Sequence, residues 1–455
     1  MAFYFLIPID TVSYNFNKFS FMGIVMRLAF LVFLVFSSSS SIARAQSTDA
    51  RERALLAAVD NNYDHALQLL EQTVDINSGT YNFPGVRLVG ERFMQEFAAL
   101  GFDTTWQPGD EFHRAGHVVA TRHRKGPKVL LIGHLDTVFP VDSPFQEFEL
   151  IDKHFASGPG TTDMKGGNVV MLEALRGLDA VDALDDLSLT VVLTGDEEAS
   201  GEPLPLARKS LIDAAKWADI AIGFEDGDSN PATAVIARRG SVDWELTVTG
   251  KPAHSSQIFQ PEVGFGAIYE AARILNAFRE QLAGKKLLTV NPGIISGGTT
   301  VNYEAGSGGS ATGKDNVIAQ TLRASGDLRT ISPQQLAKVQ SEMLSIVADS
   351  LPQTAATIRF GEGYPPMSAT DGNRKLLSLF DEVSRDLGFG PVQAVDPRNA
   401  GAADISFTAA YVDMAIDGVG LMGSGGHTVD EIADLRTLPM NAKRVGVLLL
   451  RLIER

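Results

Sequence analysis

Val129-Leu130-Leu131-Ile132-Gly133-His134-Leu135-Asp136-Thr137 is a short apolar run that ends in a glycine and two ionisable side chains. An unbroken run of this length, bounded by a turn, reads as a strand buried on both faces, as parallel strands are. Residues two apart in an extended segment share a face, so His134 and Asp136 point the same way. One of them can hold a metal ion while the other orients a ligand from behind. The pattern recurs downstream. Leu187 to Leu193 runs into Thr194-Gly195-Asp196-Glu197-Glu198, and Ile220 to Phe224 runs into Glu225-Asp226. His117 to Arg122 and Lys128 to Ile132 also read as strands. The 3.6-residue period predicts helices at Ala54 to Thr73, at Val86 to Leu100 with Gly101 as its cap, and at Asn168 to Leu178. Strands alternating with helices predict an α/β layer fold.

Near Arg238-Arg239-Gly240 the texture changes. Val242 to Val248 alternates with period two, so one face of its sheet meets solvent or another layer. A long amphipathic helix is predicted at Val263 to Leu282, a strand within Val317 to Arg329, a helix at Pro333 to Ser350 and a strand at Thr357 to Phe360. This stretch reads as a helix-on-sheet α+β insert. Beyond it come a helix at Leu376 to Leu387, a strand at Ala415 to Met422 and a closing helix at Met440 to Ile453. The α/β unit is thus interrupted and resumed, with boundaries at 46–239, 240–360 and 361–455. Gly297 to Gly313 reads as a flexible loop. Its Gly308-Gly309-Ser310-Ala311-Thr312-Gly313-Lys314-Asp315 falls short of a phosphate-binding loop, because Asp315 stands where the magnesium-binding Ser or Thr belongs.

The chain has 455 residues, enough for two or three compact units. It has no cysteine, which excludes disulfides, thiolate metal sites and cysteine nucleophiles together. A net charge of -16 argues against nucleic acid and against an anionic membrane surface as partners. Residues 1–45 read as a secretory signal, with Met26-Arg27 as a basic start, Leu28 to Phe36 as the apolar run and Ala43-Arg44-Ala45 as the cleavage pattern. Met26 is an alternative start, and an uncleaved membrane anchor is the competing reading. Cleavage after Ala45 leaves no stable membrane association, and an exported chain without cysteine suits a periplasm or the exterior.

Five clusters collect acid and imidazole at strand ends or in loops. They contain His134, then Asp163 in Gly158-Pro159-Gly160-Thr161-Thr162-Asp163-Met164-Lys165-Gly166-Gly167, then Glu198, Glu225, and His427 in Gly425-Gly426-His427-Thr428. Taken singly, each fits a solvated turn or a helix-capping acid. Taken jointly, they fall where open α/β sheets bind ligands, at the carboxyl ends of the strands. Imidazole and carboxylate without thiolate suit zinc, with cobalt or manganese as alternatives. Five ligands exceed what one catalytic zinc takes, and with a bridging carboxylate they suit two ions. Glu197 is then left free beside a ligand, where a carboxylate can take a proton from an activated water and return it to a leaving amine.

Gly133-His134-Leu135-Asp136-Thr137-Val138, the Gly158 to Gly167 segment and Asp196-Glu197-Glu198, in this order, resemble the zinc exopeptidase family of glutamate carboxypeptidase, aminoacylase, acetylornithine deacetylase and succinyl-diaminopimelate desuccinylase. The likeness runs from about residue 60 to the C-terminus, and the layout is most similar to bacterial glutamate carboxypeptidases. The resemblance implies a three-layer catalytic domain interrupted by a smaller, ferredoxin-like lid that also makes a homodimer. It implies two zinc ions per subunit, with His134 and Glu225 as terminal ligands of one and the other, Asp163 as the bridge, and Glu198 and His427 completing the set, which ligand belongs to which ion being left open. Asp136 matches the acid that orients an imidazole, and Glu197 the general base. His254, in Gly250-Lys251-Pro252-Ala253-His254-Ser255-Ser256, matches a lid histidine that reaches the partner subunit's site. Arg329 and Asn316 match lid residues that bind substrate, with Asn302 competing for the place of Asn316. Tyr364 stands where the family often has an arginine before proline. A guanidinium clamps a carboxylate with two parallel bonds, and a phenol does not. The loop Gly401 to Asp404 is expected to line the pocket. The implied activity is removal of a C-terminal residue from a small peptide. Hydrolysis of an N-acyl- or N-carbamoyl-amino acid is the second enzyme reading, and a silent binding protein on the same fold the third.

Overall fold

The order of strands in the larger sheet decides where the chemistry sits. The computed structural model describes residues 50–304 and 308–454, all in one compact unit. The expected signal, 1–45, lies outside the described residues. Six strands follow one another across the sheet as Asp103–Pro108, Gly116–Arg122, Ser188–Thr194, Lys128–His134, Ile220–Gly223 and Met414–Ile416. The last four are mutually parallel, and the first two are joined antiparallel at one edge. Four carboxyl ends therefore emerge side by side, at His134, Thr194, Gly223 and Ile416.

The period of two along Lys128–His134 explains the layers. Val129 and Leu131 enter one apolar core, while Leu130 and Ile132 enter another on the opposite face. The first core packs the helices Ala50–Asn61, Lys165–Asp179 and Thr437–Ile453 against the sheet, and the second packs Lys209–Trp217. Both faces are covered, which is why the run is apolar without alternation.

The chain leaves this unit at Gly240 and returns after Tyr364. Between them the strands Thr289–Gly298, Thr321–Thr330, Gly240–Gly250 and Thr354–Tyr364 form, in that spatial order, an antiparallel sheet. The helices Gly266–Leu282 and Pro333–Ala348 cover one face. Alternate residues Trp244, Leu246 and Val248 enter this core with Ile274, Phe278 and Met343. The connection β-α-β-β-α-β with this order is ferredoxin-like. The α/β unit with an inserted α+β lid is the fold class that the sequence predicts.

Several sequence expectations need correction. Ala54 to Thr73 is two helices, Ala50–Asn61 and Tyr63–Val74. At the break, the Asn62 amide donates to both carboxylate oxygens of the buried Glu173, at 3.0 and 2.9 Å. Gly297 to Gly313 is not an irregular loop. Thr300–Glu304 and Gly308–Thr312 pair antiparallel, and Tyr303 bonds back to Ser325 of the lid sheet. Ala415 to Met422 is a strand only as far as Ile416, because the Asp417 carboxylate takes the Gly418 N–H at 2.7 Å and turns the chain. Asp103–Pro108 and Thr289–Gly298 are strands that the sequence reading missed.

Candidate metal centre

Each candidate ligand stands on backbone that ends a strand or is tied to one. His134 is the last residue of its strand and is buried. Its Nδ1 lies 3.0 Å from the Asp136 carbonyl oxygen and 3.5 Å from the Asp136 carboxylate. This leaves Nε2 to face the carboxylates of Asp163 at 3.0 Å and Glu225 at 3.6 Å. Fixing one ring nitrogen while the other faces acceptors is the usual posture of a metal-binding imidazole. On the far side of Asp163, its second oxygen lies 2.8 Å from Nε2 of His427, and a Glu198 oxygen lies 3.2 Å from the same nitrogen.

Two sets of potential ligands result, His134–Asp163–Glu225 and Asp163–Glu198–His427, and in each the ligand atoms lie within 4.8 Å of one another. Asp163 belongs to both. The other Glu198 oxygen is buried without a hydrogen-bond partner. A buried carboxylate oxygen in this state needs a partner, and a cation can supply it. The electrostatics agree. Burial pushes the pKa values of Glu197, Glu198 and Glu225 up, and the neighbouring carboxylate of Asp163 adds to each. Burial opposes a charged His134, yet hydrogen bonds to Asp136 and Asp163 outweigh it and hold its pKa well above the ordinary range. His427, bonded to Asp163 and Glu198, is pushed up to about 11. Of the ligand acids, only Asp163 is held well below the usual carboxylate range, because both imidazoles bond to it. The remaining acids crowd one another without enough positive charge, and divalent cations supply it. The donor set thus fits two such ions.

The supports come from distant sequence. Asp136 is buried and accepts the Thr80 hydroxyl at 2.6 Å. Its two oxygens also take the N–H groups of Glu197 and Glu198, each at 3.1 Å. One carboxylate therefore fixes the backbone of both the expected base and the expected ligand beside it. Glu431 does the same for Asp163. It accepts N–H groups of Gly160 at 3.0 Å, Thr162 at 2.8 Å and Asp163 at 3.4 Å. Gly160 has φ of +80°, and a Cβ there would lie 2.8 Å from Thr137. Only glycine meets both demands without strain. Asp417 takes the Glu225 N–H at 3.3 Å and is itself held by Arg238 at 2.8 Å. A Cβ at Gly223 would lie 2.3 Å from the Asp417 carboxylate. His427 adopts φ of 64°, a left-handed conformation that costs a residue with a side chain about 1–2 kcal/mol and is retained where surrounding structure enforces it.

The lid residues find their partners within the lid. His254 is exposed, its Nδ1 is 2.9 Å from the Ser256 hydroxyl, and its backbone bridges to Val317. The Ser255 N–H bonds the Asn316 carbonyl at 2.9 Å, so His254 and Asn316 share one lid segment. Asn302 sits instead in the paired strands beyond it. Arg329 lies on Thr321–Thr330 and pairs with Asp327 at 2.9 Å. Asp404 does not line an open pocket. It is buried, accepts the Thr194 hydroxyl at 2.5 Å and lies 2.8 Å from Nε of the buried Arg208. The sequence reading missed Thr80, Arg208, Arg238, Asp417 and Glu431. Two had a nearby signal: Glu431 stands four residues after His427, and Asp417 directly follows the strand Met414–Ile416.

Residues 130–451 match the model of peptidase family M20/M25/M40. Carboxypeptidase G2 of Pseudomonas sp. strain RS-16 is 24% identical over 413 residues, covering 88% of this chain and 92% of that enzyme. Among solved structures, aminopeptidase PepT of Bacillus cereus superposes with a TM-score of 0.68 at 18% identity, over 87% of this chain and 99% of the other. The YxeP protein of Bacillus subtilis, a dinuclear metal-binding peptidase of the M20 family, superposes with a TM-score of 0.60 at 14% identity, over 87% and 99%.

Proposed function

The chain belongs to peptidase family M20/M25/M40, and from that premise we propose that it is an exported di-zinc exopeptidase that hydrolyses the amide bond of a C-terminal amino acid. The observation that carries this reading is the sharing of Asp163 between two sets of ligands, with Glu197 beside one of them. His134 and Glu225 would hold one ion, Glu198 and His427 the other, and Asp163 both. Zinc suits these donors, with cobalt or manganese as alternatives. Such ions polarise a scissile carbonyl and lower the pKa of water.

The chain's own groups supply the rest. Asp136 holds the backbone of Glu197 and Glu198 and keeps His134 turned toward Asp163. Glu197 accepts the proton of the attacking water on its carboxylate and returns it to the leaving nitrogen. Arg329 is assigned the substrate carboxylate, with Asn316 beside the substrate. His254 is assigned the oxyanion of a partner subunit, in a homodimer formed through the lid at residues 240–360. Its exposure, with partners at Ser256 and Val317 of the lid itself, supports that assignment. Export to the periplasm or the exterior is supported by the Met26 to Ala45 pattern and the lack of cysteine.

The test is hydrolysis of a panel of dipeptides, N-acyl-amino acids and N-carbamoyl-amino acids by the zinc-loaded protein, before and after chelation, with Glu197→Ala beside it. Dipeptide cleavage that chelation abolishes is expected. Glu197→Ala should lower kcat by at least about 10²-fold with its metal content unchanged. Cleavage of acyl- or carbamoyl-amino acids alone would favour the amidohydrolase reading. Activity that survives both chelation and Glu197→Ala would overturn the mechanism.

A further inference from the structure

Tyr364 ends the strand Thr354–Tyr364, the element by which the chain leaves the lid sheet, and pairs there with Ser241. Its ring packs against Phe407, with centroids 5.0 Å apart. Its hydroxyl has three polar neighbours. It accepts from Arg208 Nη2 at 2.8 Å, donates to the Glu197 carbonyl at 2.8 Å, and lies 3.3 Å from the Ser200 hydroxyl. A buried tyrosine usually finds some partner for its hydroxyl, so a hydrogen bond alone says little. The identity of the partner is what matters here, because Glu197 carries the carboxylate assigned to proton transfer.

The peptide groups around Glu197 are anchored from opposite sides. Asp136 takes the N–H groups of Glu197 and Glu198. Arg208, fully buried between Asp196 and Asp404, donates to the Asp196 carbonyl at 3.1 Å and to the Asp196 carboxylate at 2.6 Å. Tyr364 takes the Glu197 carbonyl. Asp136 and Arg208 belong to the catalytic unit, whereas Tyr364 stands on the strand that comes from the lid. We propose that Tyr364 is a positioning residue for Glu197, tying the base-bearing loop to the lid's exit strand so that the placement of one fixes the other. This rests on Glu197 acting as the general base. It also gives Tyr364 a task other than clamping the substrate carboxylate, since its hydroxyl is already committed.

The test uses Tyr364→Phe, which keeps the ring against Phe407 and deletes only the hydroxyl. A misplacement of the base by a fraction of an ångström to an ångström costs about 10–100-fold in rate. With zinc-loaded protein, kcat should therefore fall about 10–100-fold while KM and zinc content stay within about twofold. A second readout is independent of turnover. Amide hydrogen exchange across Glu197 to Gly201 should quicken more than about tenfold, while Ser188–Thr194 keeps its protection. In a Glu197→Ala background, adding Tyr364→Phe should leave the residual kcat unchanged, because the residue acts through the base.

A Tyr364→Phe protein with wild-type kcat would overturn the proposal. So would exchange that quickens equally in strand and loop, which marks general packing, or a full second drop on top of Glu197→Ala. The two readings fail separately. An active Glu197→Ala removes the base, whereas an inactive Glu197→Ala beside an unaffected Tyr364→Phe removes only the positioning role.

Discussion

Glu431→Gln isolates the support beneath the bridging carboxylate. Glu431 is buried, and five donors converge on it. Oε2 takes the Gly160 N–H at 3.0 Å. Oε1 takes the Thr162 N–H at 2.8 Å, the Thr162 hydroxyl at 3.0 Å, the Thr161 hydroxyl at 3.3 Å and the Asp163 N–H at 3.4 Å. Glutamine keeps one oxygen. Placed at Oε1 it preserves four contacts, now to a neutral acceptor, and its NH2 then confronts the Gly160 N–H. One hydrogen bond to a charged group is worth about 1.5–3 kcal/mol, and weakening the other four adds to this, so a total near 2–4 kcal/mol is expected. Thermal unfolding should fall by several degrees, at about 2–4 °C per kcal/mol or somewhat less for a chain this long. The larger signal should be in metal affinity. Removing a group that orients a ligand typically costs about 10–100-fold, and here the oriented ligand would serve both proposed ions. Competition with a chromophoric chelator, run beside calorimetry, measures the two together. Zinc affinity within twofold of wild type and an unchanged Tm would show that the Gly160 to Asp163 loop holds its shape without Glu431, and the reasoning would fall.

Mixed dimers test the lid. His254→Ala and Glu197→Ala, co-expressed with different tags and purified as the heterodimer, should form one intact site if His254 serves the partner's site, because base and donor then come from different chains. Loss of one oxyanion donor costs about 10²–10³-fold, so recovered activity should stand far above either parent, and activity at the parents' average would place His254 elsewhere. Glu173 tests a buried acid away from the centre. Burial raises its pKa despite Asn62 and Arg176 beside it. The folded state thus holds its proton more tightly than the unfolded chain, so its contribution to stability is complete below the ordinary value of 4.5 and is lost as pH rises through the raised one. Glu173→Gln should gain on wild type in thermal scans from about pH 4.5 toward 7, and parallel curves for the two proteins would contradict the shift.

The candidate centre was legible because its ligands follow strands whose identity is local. Lys128–His134 is apolar on both faces since both are covered, and that fact is written in adjacent residues. The polar residues that follow such strands fall at the carboxyl edge of any parallel sheet, whatever else the chain does. The break at Asn62 was not legible in the same way. Asn62 sits within a helical period, and only the approach of Glu173, 111 residues away, gives its amide a partner there. The paired strands at Thr300–Glu304 and Gly308–Thr312 were hidden by small residues whose composition reads equally as loop.

Tyr364 shows where the sequence stops. As a sequence position it is an arginine's replacement beside two prolines, a statement about what is missing. In the fold its hydroxyl meets Glu197 across 167 residues, as Glu431 meets Asp163 across 268. Local pattern determined the buried parallel strands, the insert and the six side chains of the candidate centre, because burial and periodicity act between neighbours. Which buried carboxylate holds which loop was decided only by tertiary structure. Those groups gain their partners when distant segments close on one another, and nothing within a few residues of Thr80 or Arg208 records that closure.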